Sequence, residues 1–92
     1  MTTNYQALGE HTAYTAQAKD AALRRMALLN NLSVLLHRLS ERPGEPLSLQ
    51  TISEQLDQAA AAEREMNAAL DRANQAAALF GQPDLRPERL LR

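Results

Sequence analysis

The sequence predicts an all-α protein: an antiparallel two-helix coiled-coil hairpin that dimerises into a four-helix bundle. Three observations predict it. Leu49, Ile52, Leu56, Ala59, Glu63, Met66, Leu70, Ala73, Ala77 and Phe80 follow one another in steps of three and four. That is a heptad seam, broken by charge only at Glu63, and it needs a second helix along it. A second long stretch, before residue 42, carries a matching apolar row. Between them lies Arg42-Pro43-Gly44-Glu45-Pro46, turn chemistry short enough to make its flanking helices antiparallel neighbours.

The hairpin spans residues 1–81, with helices over about 4–41 and 49–80 and a turn over 42–48. Thr3 and Gln6 have the spacing of a capping box. The first helix stops by Arg42, because Pro43 disfavours helical geometry at the residue before it. Gly9 is its weak point, costing about 1 kcal/mol relative to alanine, so the first turns fray there or the backbone is closely approached. The inner face reads Leu8, His11, Thr15, Ala18, Ala22, Arg25, Leu29, Leu32, Leu36 and Leu39, widened near its end by Leu28 and Leu35. Ser48 has the position of an N-cap, with Leu47 and Ile52 placed for a hydrophobic staple. The second helix ends at Phe80, with Gly81 at C′ and Pro83 beyond. The tail, residues 82–92, has two open readings: one helical turn folded back over Leu79 and Phe80, or a mobile segment.

A turn centred near Glu45 sets the register. Leu39 then faces Ile52, Ala22 faces Leu70, His11 faces Phe80, and Arg25 falls between Glu63 and Met66. The two charged seam residues therefore reach the same level. Charge agrees: Thr3 to Arg42 holds five basic and three acidic residues, and Ser48 to Phe80 holds two basic and five acidic. Unlike helices thus attract, although each exposed pair contributes only about 0–1 kcal/mol.

Arg25 and Glu63 are read as a buried ion pair that fixes register, against the alternative that Arg25 snorkels and both charges stay wet. A second apolar strip, Tyr5, Ala16, Leu23, Ala27 and Val34, lies opposite the inner face. A hairpin needs only one face per helix, so this strip is a candidate subunit or partner interface. Leu85, Leu90 and Leu91 of the tail are added to it. Arg24, Arg38 and Arg42 share one edge and are the alternative contacts for RNA or DNA.

No metal site is expected. His11 and His37 stand 26 positions apart, about 39 Å along one helix at about 1.5 Å per residue. The chain carries no glycine-rich phosphate loop, nucleophile elbow or zinc-protease motif, so no enzyme activity and no cofactor are expected. The absence of cysteine removes disulfides and thiol chemistry. A formal net charge of -1 predicts neither a nucleic-acid nor a membrane-surface binder. No apolar run approaches the roughly 20 residues of a membrane span, and no secretory signal precedes the first helix. A cytoplasmic location follows as an expectation. Nine arginines against one lysine, with much alanine, point by association to a bacterial or phage source.

The Pro43-to-Pro46 turn resembles the Pro-x-x-Pro turn of type III secretion needle subunits, and the general layout is similar to dimeric plasmid copy-control RNA-binding hairpins. The Gly81-Gln82-Pro83 break departs from the long terminal helix of needle subunits, so no family is assigned. Alanine richness gives a chain of 92 residues a thin core, so self-association or a partner completes its burial. The expected function is a non-enzymatic protein–protein interaction module, such as an adaptor, inhibitor, assembly factor or secretion chaperone. The alternatives are a nucleic-acid-binding hairpin dimer and a self-assembling structural subunit.

Overall fold

A computed structural model describes residues 3–91. Helix α1 spans Thr3–Glu41, helix α2 spans Leu49–Ala78, and a short 3-10 turn covers Pro87–Arg89. The two helices pack against each other along their length, and no strand occurs among the described residues. The molecule is a rod of 67 × 22 × 13 Å.

The ends of the helices follow local chemistry. Glu41 is the last residue of α1, immediately before the Arg42-Pro43 step. The amide of Glu45 donates to the Arg42 carbonyl at 2.9 Å and closes the turn, while Arg38 reaches Glu45 at 3.4 Å. Ser48 caps α2, its Oγ accepting from the Thr51 amide at 3.4 Å. Leu47 stays largely exposed, so a staple onto Ile52 buries little. At the far end Gly81 takes a positive φ of 77°, and the Gln82 amide donates to the Ala77 carbonyl at 3.0 Å. That 6→1 bond with a left-handed glycine is a Schellman cap. The capping box expected at Thr3 involves a side chain outside the described residues. Gly9 is not closely approached, since an added Cβ would meet nothing within 4 Å.

The packed face keeps much of the expected seam, with Ala18, Ala22, Leu32, Ala59, Met66, Leu70, Ala73 and Ala77 buried, and is wider than it by one row on each helix. In α1 the row His11, Ala18, Arg25, Leu32, Leu39 is central, as the register requires. Its second row is Ala7, Tyr14, Ala21, Leu28, Leu35, none of them exposed. The expected row Leu8, Thr15, Ala22, Leu29, Leu36 lies on the shoulder, with Leu8 and Leu36 exposed. In α2 Ala62, Ala69 and Ala76 join the buried face and Gln55 is half-buried, while Leu70 and Ala77 of the expected row stay buried and Leu56 and Glu63 lie exposed. The added row of α2 is alanine from Ala62 onward, and small residues let the backbones approach. Leucines at the shoulder would hold the backbones apart.

The shoulder rows have their own cover. The tail runs back between the helices and inserts Leu90, 1% exposed, into a cluster of Ala18, Ala21, Ala22, Met66, Ala69 and Leu70, with Leu85 packed against it. It therefore docks over the middle of the hairpin. Leu79, the expected landing point, stays exposed. One side chain directs the tail: Asn74 Nδ2 donates to the Leu85 carbonyl at 3.1 Å, and the Leu85 amide donates to Asn74 Oδ1 at 2.7 Å. A carboxamide carries one donor side and one acceptor side, which match the carbonyl and the amide of a single residue, so Asn74 satisfies both backbone groups of Leu85.

Candidate interaction surface

The register brings the expected partners together. The rings of His11 and Phe80 meet edge to face, with centroids 5.4 Å apart. Arg25 Nε donates to Glu63 Oε1 at 3.1 Å. This pair is not buried, because the two side chains retain 42% and 48% of their exposure. Arg25 starts from the central row of α1, but its long side chain reaches outward to Glu63 on the shoulder of α2, so water reaches both. The pair is then a surface bridge of about 0–1 kcal/mol, and the roughly 3–5 kcal/mol cost of breaking a buried pair does not apply.

Two further clamps cross the opposite side of the groove. Arg24 donates to Glu65 and also stands 3.5 Å from Asp20. The hydrogen bond to Glu65 pushes the Arg24 guanidinium above its ordinary pKa; partial desolvation opposes this, and the Glu65 and Asp20 charges add to it. Arg72 donates to the Tyr14 hydroxyl at 3.1 Å and lies over the Tyr14 ring, 5.5 Å from its centroid. Of the three arginines considered for phosphate contact, Arg24 and Arg38 thus already hold carboxylates. Arg42 is exposed beside the turn. His37 pairs with Glu41 at 3.0 Å, and no cluster of three metal-ligating side chains occurs among the described residues.

The outer strip of α1 is bare. Tyr5, Leu23, Ala27 and Val34 are all exposed, Val34 at 71%. Ala27 leads from this strip into a groove lined by Leu28, Ala61 and Ala62, with Arg24 and Glu65 at its rim. The tail leucines divide. Leu90 is spent on the chain's own core and Leu85 is half-buried there, so neither is a free partner contact. Leu91 stays 44% exposed. It overhangs a second cleft, of about 580 Å³, between the helices on the tail side.

Sequence reasoning missed Asn74, Tyr14 and Arg72. Tyr14 and Arg72 could have been found from the register, which places them near one level. Asn74 carries no signal of its own, since its partner is a backbone whose position depends on the tail. No helix among the described residues is long and apolar enough to cross a membrane. Comparison with protein-family models, curated proteins and solved structures finds no significant match, so the functional reading rests on the surface itself.

Proposed function

We propose that this protein is a non-enzymatic protein–protein interaction module that works by burying the outer apolar strip of α1. A second copy is the simplest occupant, giving a four-helix bundle. One observation carries this reading: after the hairpin and its tail have packed, Leu23, Ala27 and Val34 remain in water and join the groove of Leu28, Ala61 and Ala62. Apolar side chains aligned at helical spacing gain by covering each other, at about 25 cal/mol per Å² of apolar area removed from water. The Arg24 and Glu65 charges at the rim would set orientation more than affinity.

Sedimentation across a concentration series tests it. The expected result is a closed dimer whose dissociation constant rises at least about tenfold in Leu23→Glu/Val34→Glu, with helix content unchanged. A monomer at all concentrations removes the dimer. An open polymer favours a structural subunit instead. Steep loss of nucleic-acid binding with salt would favour the phosphate-binding alternative.

A further inference from the structure

Ala22 and Leu70 lie beneath the tail. Their two rows continue toward the turn as Leu29 and Leu36 in α1 and as Leu56 and Leu49 in α2. Leu29 is half-buried and the other three leucines are exposed. The next row outward on this face is small: Ser33 and Ser40 in α1, Ser53 and Ala60 in α2. None of these positions is charged, in a chain of which 23% is charged. The outer strip of Leu23, Ala27 and Val34 lies elsewhere, on the far side of α1.

The leucines form a ladder. Counted toward the turn from Arg24 against Glu65, Leu29 is level with Ala60, Ser33 with Leu56, Leu36 with Ser53 and Ser40 with Leu49. Large side chains thus alternate between the two helices, one about every 5 Å along the rod at about 1.5 Å per residue. The order is the same from either end. Such a ladder matches a copy of itself turned end for end. Each leucine then comes level with a leucine diagonally across from it, and a small residue of the other chain stands directly above it. Small residues on the crests let the two pairs of helices close, and large ones fill the space between. The tail fixes the orientation. It fills the same groove over Ala22 and Leu70, so two rods laid turn beside turn would bring their tails onto one level. Turned end for end, the rods overlap only over the halves next to the turn.

We infer that a second copy of this chain covers this face, end for end about a two-fold axis, so that Leu36 meets the partner's Leu56 and Leu29 meets the partner's Leu49. A contact of this kind is self-complementary and closes at two chains. It lies on another face than the outer strip of the proposed dimer, so either can fail alone.

The test uses the full chain carrying Leu23→Glu/Val34→Glu, in which the outer strip is silenced. Sedimentation across a concentration series should show a monomer–dimer equilibrium that stops at two chains. Adding Leu36→Glu/Leu56→Glu, both at exposed sites, should raise the dissociation constant at least about tenfold with helix content unchanged. The pairing has its own readout. In the same background, an equal mixture of Leu36→Lys chains and Leu56→Glu chains should associate at least about tenfold more tightly than either chain alone. Only the mixed pair sets a lysine against a glutamate while keeping one leucine pair intact. A monomer at all concentrations overturns the inference, and the outer strip is then judged by the unsubstituted chain. A dimer indifferent to Leu36→Glu/Leu56→Glu, assembly beyond two chains, or a mixture no tighter than its parts overturns it as well.

Discussion

Between Ala59 and Ala77, α2 buries eight residues; between Leu49 and Leu56 it buries none. Six of the eight are alanine, whereas the second stretch carries leucine and isoleucine, so side-chain hydrophobicity predicts the reverse. Two physical differences explain it. Alanine rows let the helices close, and the tail lays a third layer over Ala18, Ala22, Met66 and Leu70. Near the turn there are only two layers. Leu36 and Leu56 stand on shoulders with nothing above them. In the same region Gln55 occupies the packed row, and its Oε1 is buried with no hydrogen-bond partner among the described residues. Burial in this hairpin thus has two sources: close approach of the helices buries alanines such as Ala59, Ala62 and Ala73, and the tail's layer covers the larger Met66 and Leu70.

Substitutions can break or sharpen this contrast. The largest effect belongs to Leu90→Ala, which empties the third layer and should cost about 2–5 kcal/mol in denaturant unfolding. Leu56→Ala, the same chemistry near the turn, should cost well under half of that. Equal losses would remove the distinction between the halves. Asn74→Ala comes next. It deletes both hydrogen bonds to Leu85, and a loss of about 1–3 kcal/mol is expected, with faster hydrogen exchange at the Leu85 amide and little change near the turn.

Gly9→Ala should act in the other direction, adding about 1 kcal/mol, because the site is helical and an added methyl meets nothing. A thermal melt checks it; a loss of stability would mean that the first turns are not helical in solution. The smallest effect is at Arg25 and Glu63. A double-mutant cycle should give a coupling of about 0.2–1 kcal/mol that fades with added salt. A salt-insensitive coupling of about 3 kcal/mol would restore the buried pair.

The hairpin, its turn and its register were legible because they depend on local chemistry and counting. Pro43 stops one helix, Ser48 starts the next, and the spacing fixes which levels meet, down to His11 against Phe80 and Arg25 against Glu63. The added row of Ala21, Ala62, Ala69 and Ala76 was not legible. Rows containing Leu29 and Leu70 look better than rows containing Ala21 and Ala69 when only hydrophobicity is weighed. Close approach rewards the smaller residue, and the tail's layer covers larger ones such as Met66 and Leu70. The outer strip Leu23, Ala27 and Val34 could be read directly, since it stands opposite the packed face. The roles of Leu85 and Leu90 could not, because they depend on Asn74.

That asparagine has a consequence for how freely the tail can vary. It grips main-chain atoms of a single residue, and such a grip is blind to the identity of neighbouring side chains. Residues at 82, 84, 86 and 88 could be rewritten, even with opposite charge, while the segment kept its berth, provided leucines remained at 85 and 90. A new recognition sequence could be carried there without disturbing the rod beneath it.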